Sequence, residues 1–223
     1  MRNLQFQTGA YYHIYNRGID KRKVFMDEND YLRFIRSMRE FNNESTDVQR
    51  DYEKRQAGEK GKKLSFGYPK LSFMSMPNLV DIVCYCLNSN HIHLLLKQTN
   101  NQGIEKFIHK LAIGYTKYFN YKHKRTGSLF EGTYKAIQIK TDNYLLYLSG
   151  YINGNPEIHK ITKAEDWPWS SYKDFLGLRK GTLCNKNVIL KDFLNVSEYR
   201  DLVRIIIKEA RQRKDDIKQY LLE

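Results

Sequence analysis

The sequence lacks an uninterrupted apolar run that approaches the roughly 20 residues needed for a membrane-spanning helix. Its opening stretch, MRNLQFQTGAYYHIYNRG, lacks the basic-then-apolar order of a secretion signal. Cysteine is scarce as well, because the chain has only Cys84, Cys86 and Cys184, an odd number without a disulfide framework. These absences argue against a membrane protein or a disulfide-stabilised secreted protein, and they predict a cytoplasmic protein with reduced thiols.

Acidic residues are few compared with basic ones. The chain of 223 residues has 25 Asp and Glu against 38 Lys and Arg, which gives a net charge of +13. Hydrophobic residues make up 41% and aromatic residues 13%, enough for a folded protein with a sizeable core. The charge excess predicts a nucleic-acid partner, because binding to phosphates releases condensed counterions. A soluble protein that is merely basic is the alternative.

Apolar spacing and turn residues predict an α+β protein. The central signal is a hairpin, in which residues 79–87 and 91–97 flank the turn residues NSN. The other predicted elements are a strand at 9–18, a helix from about Glu28 to Phe41, a long helix at 103–124, a strand at 132–140, a helix from Thr141 or Asp142 to near Pro156, and a C-terminal helix from about 197. This order predicts one antiparallel sheet with helices packed on one face. The polar residues 42–70 are predicted to form an exposed insertion.

Two histidines lie one residue apart in the apolar run LNSNHIHLLLKQ, residues 87–98. Side chains at positions i and i+2 of a strand point to the same face, so His91 and His93 are expected side by side, with Cβ atoms about 6.5–7 Å apart. Two imidazoles at this spacing can bind one metal ion or one phosphate. Two alternatives stay open: ordinary histidines on a half-exposed face, and a zinc site with Cys84 and Cys86, whose spacing departs from that of structural zinc sites.

The segment TDNYLLYLSGYINGNPE supplies a candidate third ligand and a reactive group. Tyr151 and Asn155 are four residues apart, so a helix would place them on one face. The amide oxygen of Asn155 can bind a metal, and Tyr151 can provide a phenolate nucleophile beside it. The alternative is a tyrosine at helical spacing that belongs to the core.

Five stretches together resemble the REP-associated tyrosine transposases, within the single-tyrosine (insertion-sequence 200-like) HUH transposase superfamily. They are YYHIYNRGIDKRKVF, CLNSNHIHLLLK, YTKYFNYKHKRTGSLFEGTYKA, YINGNP and WPWSSY. The resemblance implies a ferredoxin-like or RRM-like HUH endonuclease core in residues 1–180. Residues 42–70 and the last ~40 residues fall outside the resemblance, and residues 181–223 are predicted to form a C-terminal helical extension.

The resemblance also implies roles for individual residues. His91 and His93 match the metal-binding histidines, Asn155 stands where an Asn or Gln completes the site for Mg²⁺ or Mn²⁺, and Tyr151 matches the catalytic tyrosine. Tyr115 is the rival nucleophile, although it has no Asn or Gln four residues later. Gly154 departs from the family pattern, and a glycine here is expected to loosen the end of the helix by roughly 1 kcal/mol relative to alanine.

The implied function is cleavage and rejoining of single-stranded DNA at hairpin-associated sites through a 5′-phosphotyrosine, by a monomer or a homodimer. Basic and aromatic residues suited to unpaired DNA are Arg17, Lys21, Arg22, Lys117, Tyr118, Lys122, Lys124, Arg125 and Lys135. For those between 117 and 125, a solvated helix face is the alternative. A non-catalytic nucleic-acid-binding protein of the same fold and a relaxase-type replication initiator are the competing functions.

Overall fold

A computed structural model describes residues 4–44 and 77–220. Most of the predicted insertion at 42–70 lies outside the described residues. At its start the prediction of exposure is wrong, because Asn42 and Asn43 are buried. The Asn42 side chain accepts a hydrogen bond from the backbone N–H of Val80 at 3.0 Å and donates to the carbonyl oxygen of Val80 at 2.8 Å. It thereby joins the end of the first helix to the sheet.

The sheet has four strands, β1 (Tyr11–Arg17), β2 (Val80–Asn88), β3 (His91–Gln98) and β4 (Lys135–Ile139). Their spatial order is β2-β3-β1-β4, and every pair is antiparallel. Strands β2 and β3 form the predicted hairpin, with Ser89 and Asn90 as its turn. The predicted α+β class with an antiparallel sheet is confirmed.

Two helices cover one face of this sheet, α1 (Glu28–Glu40) and α2 (Gly103–Lys122). Helix α1 begins after Asp27, whose side chain accepts a hydrogen bond from the backbone N–H of Asp30 and caps the helix. The core below them combines alternate strand residues with the apolar faces of both helices. It includes Tyr12, Ile14, Phe34, Leu94, Leu96 and Phe107.

The prediction of helices on one face alone is wrong, because a second helical layer covers part of the opposite face. This layer contains α3 (Asp142–Asn153), α4 (Val196–Tyr220) and the one-turn helices Asn155–Ile158, Tyr172–Phe175 and Asn187–Leu190. Strand β2 and the adjoining part of β3 are apolar on both faces, so both need cover. The second core includes Cys84, Leu95, Leu148, Ile152 and Val203. No described helix has the length and apolar content that crossing a membrane requires.

The WPWSSY segment runs along the outer edge of β2. The backbone N–H of Leu87 donates to the carbonyl oxygen of Trp169 at 2.9 Å, and Ser171 N–H donates to the carbonyl oxygen of Tyr85 at 3.0 Å. The Trp169 ring stacks on Tyr31 of α1 at a centroid distance of 4.6 Å. The segment therefore pairs the hydrogen-bonding groups of this edge, which would otherwise be open to another chain.

Candidate active site

The two predicted histidines lie on the same face of the sheet, as their spacing requires. Opposite them on β1 stand Arg17, in register with His91, and Tyr15, in register with His93. The rings of His91 and His93 are perpendicular, with centroids 5.2 Å apart. Ile92, between them, points to the core on the other face.

The Nδ1 atom of His91 is held by the turn residue next to it. Nδ1 is 2.7 Å from the side-chain oxygen of Asn90, and the amide nitrogen of Asn90 donates to the carbonyl oxygen of Lys21 at 3.2 Å. Because that second bond fixes the amide orientation and an amide oxygen can only accept, Nδ1 of His91 carries the proton. Its Nε2 atom therefore presents a lone pair to the site.

Asn155 brings an amide oxygen to the same place. Oδ1 of Asn155 is 3.2 Å from Nε2 of His91, and the amide nitrogen of Asn88 donates to both atoms, at 2.5 Å and 2.8 Å. Asn155 is fully buried. Two acceptors from distant parts of the chain thus converge on one point. In this structure the Asn88 amide satisfies both, and a cation bound by both would replace it as their partner.

The prediction that one continuous helix carries both Tyr151 and Asn155 is wrong. Helix α3 ends at Asn153, and Asn155 begins the separate turn Asn155–Ile158. The break follows from Pro156, which has no N–H to continue the α-helical hydrogen bonds. Gly154 keeps right-handed helical angles, φ −81° and ψ −5°, so the chain continues in nearly the same direction. The N-terminal cap is Thr141, one of the two residues predicted for it.

Tyr151 is half-buried beside the histidine pair. Its ring centroid is 6.2 Å from that of His93, and the two rings are perpendicular. Burial raises the pKa of Tyr151 above its ordinary value, Tyr147 adds to the rise, and hydrogen bonding from the Asn155 side chain opposes it. The phenol is therefore neutral at neutral pH and needs a nearby positive charge to ionise.

The rival nucleophile has a structural role. Tyr115 is fully buried between the sheet and α1, and its hydroxyl donates to the carbonyl oxygen of Val24 at 2.6 Å. Burial also raises its pKa far above the ordinary value. The neighbouring Tyr118 donates to the buried carboxylate of Asp30 at 3.2 Å. Both lie on the α1–α2 side of the sheet, whereas the histidine pair is on the other face.

Three residues of this site were missed by the sequence interpretation. His13 on β1 is buried, and its Nε2 is 2.9 Å from Nδ1 of His93. His159 is exposed, with its ring centroid 5.0 Å from that of His91. Asn88 is buried and supplies the bridging amide. Strand alternation from Tyr15 could have indicated His13, and the four-residue spacing from Asn155 could have indicated His159. No signal marked Asn88 beyond its place beside the turn.

The lone pairs of His91 Nε2 and Asn155 Oδ1 can bind one divalent ion as ligands. The 3.2 Å between Nε2 of His91 and Oδ1 of Asn155 suits two adjacent ligands of one ion with bonds of about 2.1 Å. No group of three or more His, Cys, Asp or Glu side chains within residues 4–44 and 77–220 could hold a metal. An ion here would take the Asn155 amide as a protein ligand. The alternative zinc site with cysteines and histidines is also disfavoured, since Cys84 lies in the second apolar core.

The predicted DNA-binding residues fall into two groups. Arg17, Lys21, Arg22 and Lys135 lie on β1, the turn after it and β4; Arg17 is paired with Glu131, and Nζ of Lys135 is 6.0 Å from the Tyr15 ring centroid. The others, on α2 or just after it, are Lys117, Tyr118, Lys122, Lys124 and Arg125. Within that second group, Nζ of Lys122 is 2.6 Å from Asp27 and 2.7 Å from the buried Asp30, so local carboxylates neutralise its charge.

Helix α4 packs closely against α3, the helix that carries Tyr151, and the turn that follows it at two glycines. A Cβ atom at Gly150 would lie 2.5 Å from Cδ1 of Ile206, and one at Gly154 would lie 2.7 Å from Cγ1 of Ile207. The glycines therefore permit close packing between α4 and the end of α3. Gly154, expected only to loosen the helix end, is a point of tight contact one residue before Asn155.

Comparison with known proteins agrees with this arrangement. Residues 71–155 match the family model described as "Transposase IS200 like". This stretch is therefore similar to the IS200-like transposases. The IS200-like stretch extends from before β2 to Asn155 and includes His91, His93 and Tyr151.

A solved structure, described as a REP-associated tyrosine transposase bound to a REP hairpin, has the same fold. The TM-score is 0.50 with 12% sequence identity, over 79% of this chain and 85% of the other. No curated protein matches the chain. At this identity the structural likeness establishes the fold alone, and the similarity to IS200-like transposases rests on the family model over residues 71–155.

Proposed function

We propose that this protein is a metal-dependent, single-stranded DNA endonuclease and strand transferase that acts at hairpin-associated sites. One observation carries the proposal: within a single chain, the Tyr151 ring lies 6.2 Å from His93, and the acceptors of His91 and Asn155 converge 3.2 Å apart. The proposed nucleophile and the proposed metal ligands thus adjoin each other. The transposase family of residues 71–155 supports the same chemistry.

The cation expected at this site is Mg²⁺ or Mn²⁺, held by His91, His93 and Asn155. When bound, such an ion neutralises a non-bridging phosphate oxygen and stabilises the leaving 3′ oxygen. All three ligands are neutral, so they would leave the positive charge of the ion available to the DNA phosphate. The amide oxygen suits Mg²⁺ and Mn²⁺, and the imidazoles also accept later transition metals.

Tyr151 acts as the nucleophile in this proposal. Its Oη forms a bond to phosphorus as the bond from phosphorus to the 3′ oxygen breaks; the phenolic proton passes to solvent, and the 3′ oxygen takes up a proton. The products are a 5′-phosphotyrosine and a free 3′-OH. Because the covalent link retains a phosphodiester, attack by another 3′-OH rejoins DNA without an added energy source. Burial raises the pKa of Tyr151, so its ionisation as a nucleophile is favoured by a nearby positive charge.

The proposed DNA path follows the exposed part of the sheet beside the histidines. Lys21 and Lys135 supply positive charge there beside Arg17, whose charge Glu131 offsets, and the half-exposed Tyr15 offers a ring on which a base can stack. Arg22 lies next to Lys21, and the exposed Lys124 and the partly exposed Arg125 would contact DNA from the α2 side. A hairpin substrate is supported by the similar structure, which is bound to a REP hairpin.

A non-catalytic nucleic-acid-binding protein is the second candidate. The net charge of +13 favours nucleic-acid binding and does not distinguish a binder from an enzyme. The half-buried tyrosine beside two histidines favours the enzyme, since binding alone needs neither the phenol nor the buried acceptors around it.

Covalent adduct formation separates these candidates. A labelled hairpin oligonucleotide with single-stranded flanks is incubated with the protein and Mn²⁺, then resolved under denaturing conditions. Wild type and Tyr115→Phe are expected to form the adduct, and Tyr151→Phe and a chelator are expected to abolish it, with Tyr151→Phe binding DNA within a few-fold of wild type. Tight binding by wild type without any adduct would favour the binder. An adduct lost in Tyr115→Phe and retained in Tyr151→Phe would refute the nucleophile assignment.

A further inference from the structure

His13 contacts the candidate metal ligand His93 from the neighbouring strand. It lies in the middle of β1 with 7% of its surface exposed, and His93 opposite it is 9% exposed. Nε2 of His13 is 2.9 Å from Nδ1 of His93, and the two rings are inclined by only 19°. Because the ring centroids are 5.1 Å apart and the nitrogens 2.9 Å apart, the line that joins the two nitrogens runs close to both ring planes, as a hydrogen bond requires.

One of these two nitrogens must carry the proton, and the choice determines what His93 can bind. If Nε2 of His13 donates, Nδ1 of His93 is the acceptor and the proton of a neutral His93 sits on Nε2, which then cannot bind a cation. If Nδ1 of His93 donates, its Nε2 is left with a lone pair. The partner of one ring nitrogen thus decides whether the other can be a ligand.

At His91 the hydrogen-bond partner of Nδ1 determines the position of the proton in the same way. There the Asn90 oxygen is an obligate acceptor, so the proton sits on Nδ1 and the Nε2 lone pair faces Asn155. At His93 the partner of Nδ1 is His13. Its ring is oriented by Tyr15, which stacks on it at a centroid distance of 4.8 Å with an interplanar angle of 29°.

We propose that His13 is a positioning residue that accepts a hydrogen bond from Nδ1–H of His93 and thereby keeps Nε2 of His93 unprotonated for the metal. The inference rests on the proposed function, since it concerns the ligand set of that site. It adds a residue that does not touch the metal or the DNA. Residues in this position orient metal-binding histidines, and their loss typically weakens metal affinity by about 10–100-fold.

Nitrogen NMR of the metal-free protein tests the protonation directly. With ¹⁵N-labelled histidine, long-range couplings identify which ring nitrogen carries the proton. His93 is expected with its proton on Nδ1 and His13 with an unprotonated Nε2. A neutral His93 with its proton on Nε2 in wild type would overturn the inference. This result does not depend on catalysis or on the stability of any variant.

Metal titration of variants tests the consequence. His13→Leu removes the acceptor and is expected to weaken Mn²⁺ binding, measured by calorimetry, by about 10–100-fold. His13→Gln keeps an acceptor oxygen and is expected to remain within about threefold of wild type. His123→Leu is the matched control, because it removes a histidine bonded to Asp30 at 3.0 Å on the other face and should leave Mn²⁺ binding unchanged.

The outcomes separate the inference from the proposed function. Wild-type Mn²⁺ affinity in folded His13→Leu, together with adduct formation by wild type, would overturn the role of His13 and leave the function standing. An equal loss in His13→Leu and His123→Leu would indicate general destabilisation and would also overturn it. A wild-type protein that neither binds Mn²⁺ nor forms the adduct would overturn both.

Discussion

Replacement of Gly154 by alanine tests how helix α4 positions Asn155, the proposed metal ligand that follows α3. The added Cβ would lie 2.7 Å from Cγ1 and 3.1 Å from Cδ1 of Ile207, and 3.0 Å from the carbonyl oxygen of Gly150. Favourable carbon contacts are about 3.5–4.0 Å, so α4 or the turn at Asn155 must move. The backbone angles of Gly154 are helical, and no strain arises from them.

Two opposing effects determine how much Gly154→Ala changes the free energy of unfolding. Alanine is favoured over glycine in a helix by about 1 kcal/mol, and overpacking of a buried contact costs about 1–3 kcal/mol. We expect overpacking to dominate, with a net loss of about 1 kcal/mol in the free energy of unfolding. For a chain of this size that loss lowers Tm by about 2–4 °C.

Thermal unfolding of Gly154→Ala, Ile207→Ala and the double variant measures this contact. Ile207→Ala alone removes a buried side chain at a cost of about 2–5 kcal/mol, and it also makes room for the new methyl group. The double variant should therefore be more stable than the sum of the single effects predicts, by at least about 1 kcal/mol. A higher Tm in Gly154→Ala, or strict additivity, would refute the reasoning.

Three further predictions concern stability, DNA binding and ionisation. Asp30→Asn removes the buried carboxylate that pairs with Lys122 and His123, while Asp27 still pairs with Lys122, and should lower the free energy of unfolding by about 1.5–3 kcal/mol in urea titration; a loss below about 1 kcal/mol would contradict this. Lys135→Ala should weaken single-stranded DNA binding and reduce its salt dependence by about one unit of log–log slope; an unchanged slope would exclude a phosphate contact. Because burial raises the pKa of Tyr151, the folded state favours the neutral phenol. This contribution to stability is fully present below the unfolded-state pKa of about 10 and is lost as pH rises through the folded pKa. An ultraviolet difference titration of metal-free wild type against Tyr151→Phe should therefore show Tyr151 un-ionised at a pH where free tyrosine is half-ionised.

The hairpin and its histidines were predictable because strand alternation has a period of exactly two residues. That period placed His91 and His93 on one face and Ile92 in the core on the other, as the structure has them. Capping chemistry located the start of α3 at Thr141 for a similarly local reason. Local rules of this kind predict the secondary-structure elements and the face on which each side chain lies.

Long-range contacts were not predictable from these rules. The second helical layer depends on glycines of α3 meeting isoleucines of α4 more than 50 positions later, such as Gly150 and Ile206. Spacing within α2 cannot reveal that Lys122 pairs with Asp27 and Asp30, about 90 positions away. These partners determine which charges remain for DNA.

The polar neighbours of the candidate ligands were hidden for a different reason. Asn88 and Asn90 adjoin a tight turn, where asparagine is common for its backbone conformation. Their hydrogen bonds to His91 emerge only from the folded hairpin. His13 looks like any residue of a β-rich stretch until the register sets β1 against β3.

In the proposed mechanism Tyr151 becomes joined to DNA beside the histidine pair. The most direct test of this step is mass-spectrometric mapping of the DNA-linked peptide formed by the wild-type protein with a hairpin oligonucleotide and Mn²⁺. We expect a 5′-phosphate linked to Tyr151. Linkage to Tyr115, Tyr118 or any other residue would contradict it.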